Sequence, residues 1–369
     1  MSFLIISAFL AMLSIVEIRS FFGLTVLTVS LYYSITYGYG YDWINYMDIY
    51  DHIGVQSYFV FFNEPLYHLL MQVSYYAGLS FSTFCALITS FIYFSVYIFC
   101  RNLKNPTLAF FTLFSFLGLY IFTEWIRQGL AIAFILLGMA ANKNKKISFV
   151  MLSLAVLTHF AAVVAIITPY LIRSGNGNTK KTLLLTTLFM SIAIYFIYNP
   201  EVLSAIPLLG DKIAGYSQAL LDSDVDFLTF ILSSKVILGY LVIIFLFISF
   251  KNKNSHVYSA IISLYSIIIT RMVQVFIRIG YYFVPAMVVS VDEIDKMQHT
   301  GVRTSLPKLS YIALIFGVST IPFWNPLFGD GSKYYLTLFS TKNEITEKIG
   351  HKCMIINKNS ERHTILRCL

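Results

Sequence analysis

The chain has 369 residues, of which 57% are hydrophobic, 17% aromatic and 12% charged, with a mean hydropathy of +0.73. A soluble globular domain carries about a quarter charged residues, so composition excludes a water-soluble enzyme and points to an integral membrane protein. The net charge of +8 is spread over short loops and the C-terminal end, with no basic helix and no stacking motif, which excludes nucleic acid as a partner.

Clean apolar runs lie at 1–16, 21–37, 81–99, 106–122, 129–141, 182–198, 227–250, 257–270 and 307–324. Each approaches the roughly 20 residues that cross a hydrocarbon core of about 30 Å. The first run has no basic residue before its apolar core, and Arg19 comes only afterwards. A retained span is therefore expected in place of a cleavable signal. Residues 38–64 carry Asp42, Asp48, Asp51 and Glu64 without a Lys or Arg. Residues 65–78 are too short to span, and Pro65 suits the first position of a half-helix. The segment 147–172 has basic loops on both sides and is too short for two crossings. A re-entrant hairpin bent near Thr158-His159 is preferred over a break in the charge rule, and such a backbone is tolerated only where it is buried or lines a wet cavity.

Lys and Arg mark cytoplasmic loops. They cluster at Arg101–Lys104, Lys143–Lys146, Arg173–Lys181 and Lys251–Lys253, whereas 38–64 and 198–228 are acidic and are expected outside. The reading is an all-α polytopic membrane protein of about ten spans plus the two short segments, with both ends outside. Its membrane domain covers 1–324 and a polar tail covers 325–369. Cys85 and Cys100 are expected in the core, and Cys353 and Cys368 could pair if the tail meets an oxidising space.

Several polar residues need a reason to be there. Arg127 and Gln128 follow Glu124 at the start of an apolar segment near the outer face. Charge in hydrocarbon is costly and usually faces a cavity or a partner. Snorkelling, or an i, i+3 pair with Glu124, is the plain alternative. His159 stands alone in "AVLTHFAAVV" as a core residue, a proton carrier or a phosphate donor. Arg271 and Arg278 are expected on one helix face, two turns apart, with no acid between Lys253 and Asp292. Guanidinium geometry suits phosphate, so Arg127, Arg271 and Arg278 together suggest a diphosphate pocket. The stretch "YGYDWINY" joins rings to carboxylates as sugar binding does, with an interfacial aromatic belt as the alternative for Tyr41 and Trp43.

These stretches carry a resemblance. "YGYDWINY", "NEPLYHLL", "EWIRQGLAIAF", "LTHFAAVV" and "RIGYYF", in this order across about 30 to 290, resemble the EpsG-like family of polysaccharide polymerases, which includes many Wzy-type O-antigen polymerases. The most specific pair is "RQ" before small apolar residues and a solitary His about thirty residues on. The resemblance implies a glycosyltransferase C-like membrane enzyme of the bacterial inner membrane, with its site facing the periplasm. It implies transfer of a glycan from undecaprenyl diphosphate to a lipid-linked repeat, without a nucleotide sugar, metal or other cofactor. Partners implied are that lipid-linked oligosaccharide, membrane lipids, a chain-length regulator and a flippase.

In that reading Arg127, Arg271 and Arg278 hold the diphosphate. Gln128, Tyr46, Tyr281 and Tyr282 position lipid or sugar, and Asp42, Glu64 or His159 is the base. The rival from another class is a lipid-linked oligosaccharide flippase. An O-acyltransferase is disfavoured by the outer placement of Asp42 and Glu64, and an O-antigen ligase by the length of 198–228.

Overall fold

A computed structural model describes residues 2–17, 19–54, 64–141, 144–176, 179–203, 234–249, 255–271, 276–298 and 306–359. It is all-α apart from one two-stranded ladder. The chain divides into two compact units, one of Met1–Ala165 with Ile315–Leu369 and one of Ile166–Leu314. Most of the expected outer loop 198–228, together with residues 55–63 and the end of the tail from 360, lies outside the described residues.

In the first unit the element order is α1 (Ser2–Val16), α2 (Phe22–Ile35), β1 (Thr36–Tyr37), α3 (Asp42–Asp51), α4 (Pro65–Tyr76), α5 (Phe81–Arg101), α6 (Pro106–Leu113), α7 (Ile126–Ala140) and α8 (Lys145–Thr158). Local chemistry sets several of these starts. Ser80 caps α5 by accepting from the Thr83 N–H, Asn105 caps α6 ahead of Pro106, and Asn144 caps α8 by accepting from the N–H groups of Lys146 and Ile147. Such caps meet donors that no carbonyl of the helix can reach. At 21 residues and about 1.5 Å per residue, α5 is long enough to cross a bilayer. Its Ile92, Tyr93 and Val96 are fully buried, and the helix packs on α7. Ile5, Phe9 and Met12 of α1 and Leu24, Leu27 and Leu31 of α2 face outward. An apolar belt of this kind suits lipid and would be a liability in water.

Among the described residues the expected count of about ten spans is not reached: only Phe81–Arg101 and Leu306–Trp324 are long and apolar enough to cross. Ser2–Val16, Pro106–Gly118, Ile126–Ala140, Phe160–Arg173 and Lys235–Ile248 are apolar but shorter. A hydropathy run reports composition along the chain, not continuity of the helix. The run 106–122, for example, passes from α6 into a π-helical stretch, Phe114–Gly118, and then a turn.

The helix start at Pro65 and the break near Thr158-His159 both form as expected, whereas residues beyond the break pass into the second unit. Helix α4 begins at Pro65 and has 12 residues. Helix α8 stops at Thr158, and His159 is extended at φ −152° and ψ 114° before a 3-10 segment, Phe160–Ile167. The tail is less separate than expected. Strand β2 (Leu336–Thr337) pairs antiparallel with β1, with Thr36 opposite Thr337. The last helix, Lys342–Asn359, opens with a reciprocal cap in which the Thr341 N–H donates to Glu344 Oε2 and the Glu344 N–H donates to Thr341 Oγ1.

In the second unit, the helix Ser255–Arg271 packs along Val284–Gln298, beside Lys235–Ile248 and Thr168–Arg173. Between them come a short helix, Ile277–Gly280, and a 3-10 turn, Tyr281–Phe283. A methyl group on Gly280 would overlap Thr270 Oγ1, so the chain has reversed by that point.

Candidate active site

Three helix ends meet in the first unit. Helices α7 and α8 form an antiparallel pair, held close where Ser148 Oγ donates to the Gly138 carbonyl at 2.7 Å. Arg127 is the second residue of α7, and His159 directly follows α8. The pair therefore sits at one end of the hairpin, which is the physical meaning of a solitary His about thirty residues after "RQ". Helix α4 packs on α8 and brings Glu64 to the same end. Glu64 caps α4 only through its backbone, since its side chain makes no capping bond.

Arg127 Nη1 lies 2.5 Å from Glu64 Oε2, and His159 Nε2 lies 3.8 Å from Glu64 Oε1. One carboxylate is thus shared by a guanidinium and an imidazole. The Tyr46 ring stands 4.7 Å from the guanidinium carbon and the Tyr67 ring 6.0 Å. Arg127 Nε is buried with no hydrogen-bond partner among the described residues, a donor open to a substrate oxygen. Gln128 and Tyr46 are buried beside this cluster.

Glu124, the nearest acid in sequence, does not pair with Arg127. Trp125 between them has φ −93° and ψ 61°, outside helical geometry, so the i, i+3 relation that would join the two never forms. Glu124 instead accepts the backbone N–H groups of Gly40 at 2.7 Å and Asp42 at 2.5 Å, and that of Tyr41. Asp42 begins α3, and Tyr46, one turn on, reaches Asp42 Oδ2 at 3.5 Å.

Across the same loop Lys352 of the C-terminal helix, fully buried, donates to the carbonyls of Tyr39 at 3.0 Å, Gly40 at 2.5 Å and Gly331 at 3.0 Å. Burial pulls Lys352 down to about 7, and Glu124 opposes that pull. Three acceptors need three N–H donors, which only the ammonium has. Burial first, then Glu124 and Asp330, push the Tyr41 phenol up to about 12. It stays protonated and donates to the Leu327 carbonyl at 2.6 Å. Sequence reasoning passed over Lys352, because nothing local marks one lysine of a polar helix as buried.

The second unit holds a second cationic cluster. Arg271 donates from Nη1 to Tyr281 Oη at 3.1 Å and lies 5.9 Å from the Tyr240 ring. Tyr281 and Tyr282 are buried, and Arg278 is half-buried. The expectation that Arg271 and Arg278 share one helix face fails. Arg271 ends one helix and Arg278 belongs to the short helix after it, where the chain has turned back against Thr270. The residues meant to form one pocket fall in different units, Arg127 in the first and Arg271 and Arg278 in the second. Among the described residues there is no group of three or more His, Cys, Asp or Glu side chains that could hold a metal ion.

The fold is that of a helical membrane protein whose first unit holds one carboxylate between an Arg and a His at the end of a helix hairpin. The family model for EpsG matches residues 19–333, and the chain belongs to the EpsG family. It is accordingly a glycosyltransferase-like membrane protein of polysaccharide biosynthesis. No curated protein and no solved structure matches the chain.

Proposed function

We propose that the protein is a polysaccharide polymerase. It moves a glycan from undecaprenyl diphosphate to a lipid-linked repeat unit at the outer leaflet of the inner membrane. The observation that carries this reading is the Glu64 carboxylate shared by Arg127 and His159. As the acceptor hydroxyl attacks the anomeric carbon it loses its proton. The bond from that carbon to the diphosphate oxygen breaks, and its electron pair leaves with the diphosphate. His159, donating Nε2–H towards Glu64, carries its lone pair on Nδ1 and takes the proton there. Glu64 then steadies the imidazolium. Their 3.8 Å separation is one that tightens when substrate closes the site. Arg127 keeps Glu64 ionised and aimed.

Arg127, whose buried Nε–H is left over after the Glu64 pair, steadies the departing diphosphate, where a fixed cation stabilises developing charge. Arg271 and Arg278, with Tyr281 and Tyr282, are a cationic group of the second unit. Gln128, Asp42 and Tyr46 contact the sugars, and Asp42 is the rival base. An outward-facing site is supported by the acidic loop 38–64 against the basic short loops.

The test is a deletion strain complemented with His159→Ala, read as a glycan ladder at matched protein level. Loss of the base lowers the rate about 10²–10⁴-fold, leaving core plus a single repeat. Wild-type ladders from the variant would remove His159 from the chemistry. Bare core with lipid-linked repeats trapped inside, on deletion, would identify a flippase.

A further inference from the structure

The loop between β1 and α3 is held by two buried ions of opposite sign, and the second of them comes from the far end of the chain. Glu124 takes the N–H groups of residues 40, 41 and 42, and Lys352 takes the carbonyls of 39 and 40. Backbone here has no sheet or helix partner, and these side chains supply its hydrogen bonds in place of a ladder. There is no slack in the arrangement. A methyl group on Gly40 would overlap the Glu124 carboxyl. Lysine is almost never fully buried unless paired, so simple packing does not explain an ammonium at this spot.

The neighbouring rings bind the same two partners together. Tyr39 stacks on Tyr335 at 5.1 Å, the Tyr41 ring lies 5.1 Å from the Lys352 ammonium, and the Trp43 indole N–H donates to the Gly40 carbonyl at 3.1 Å. What the loop aims is α3. Its first residue is Asp42, and one turn later Tyr46 lies against the Arg127 guanidinium. A shift of the loop would carry Tyr46 off the Arg127 guanidinium, and with it Asp42, which the Tyr46 hydroxyl reaches at 3.5 Å.

We propose that Lys352 and Glu124 are positioning residues that clamp residues 39–42 and so seat Asp42 and Tyr46 in the site. The C-terminal segment is then a working part of the enzyme and no appendage. The effect on product rests on the polymerase reading above, whereas the clamp itself does not.

Trp43 reports on the clamp directly. The chain has three tryptophans, Trp43, Trp125 and Trp324. In full-length protein carrying Trp125→Phe and Trp324→Phe, Lys352→Met should raise acrylamide quenching of Trp43 about twofold or more, because a side chain now 2% exposed becomes accessible on local opening. Lys333→Met, at an exposed lysine paired with Asp330, should leave quenching unchanged. Gly40→Ala attacks the clamp from the loop side and should loosen Trp43 in the same way, which keeps the test alive if Lys352→Met fails to fold. In an otherwise wild-type chain at matched membrane level, both variants should shift the glycan ladder towards single repeats. Unchanged Trp43 quenching in both variants overturns the clamp. A loosened Trp43 with a full ladder overturns the positioning role. If His159→Ala also keeps a full ladder, the catalytic reading has failed, and quenching alone then decides the clamp.

Discussion

Replacing Arg127 with methionine keeps an aliphatic stem of similar reach and removes the cation 2.5 Å from Glu64. The cost can be bracketed. An exposed ion pair contributes about 0.2–1 kcal/mol, and breaking a fully buried pair from one side costs about 3–5 kcal/mol. Here the side chains are 26% and 10% exposed, which sets the loss between those limits, at about 2–3 kcal/mol. Losing the guanidinium over the Tyr46 ring adds about 0.5–1 kcal/mol. Glu64→Gln strands the opposite charge but keeps an acceptor, at about 2 kcal/mol. The double variant buries no unpaired charge, so its loss should match the worse single variant, with a coupling of about 2 kcal/mol. Unfolding entropy of about 2.1 cal/mol/K per residue over 369 residues makes 1 kcal/mol worth about 1.3 °C. Thermal unfolding in detergent should then fall by about 4 °C for Arg127→Met and by about the same for the double variant, in place of the roughly 7 °C of an additive sum. Losses that add to within about 0.5 kcal/mol would refute the shared-carboxylate site.

Gly129→Ala should cost about 1–3 kcal/mol, since its methyl would lie 2.5 Å from the Ile121 carbonyl oxygen and 2.9 Å from Ile92, and a backbone atom cannot step aside. Gly138→Ala meets Met151 Cβ at a milder 3.2 Å, and the gain in helix propensity of about 1 kcal/mol offsets it. Equal thermal midpoints for the two variants would contradict the packing of the α7 helix. With Trp43 as the only tryptophan, quenching should be least near pH 7 and rise on either side, because burial brings both ions of the clamp there: Lys352 lacks a third donor above about 7, and Glu124 loses its carboxylate below it. Lys352→Met should flatten the alkaline limb; an identical curve in that variant would assign the titration to another group.

Much of the site was legible in sequence because it lies where the pattern breaks. Pro65 starts a helix, His159 ends one, and the spacing from Arg127 to His159 is that of a two-helix hairpin. Charge partners were not legible, for a physical reason. Pairing by proximity in sequence presumes helix, and Trp125 is not helical, so Glu124 turned to the loop at 40–42 and Glu64 came to Arg127. The presumption also failed for Arg271 and Arg278, which belong to two separate helices, with Gly280 brought back against Thr270.

Composition by itself determined a helical chain in lipid, because so few charges and so many long apolar runs leave no other solvent. It also supplied the polar residues that would have to find a use there. Only the tertiary structure decided which of them meet. Glu64 and Arg127 stand far apart along the chain and meet in one ion pair, and Lys352 closes a loop near the opposite end. Those contacts depend on how helix ends converge in space, which no local pattern of residues encodes.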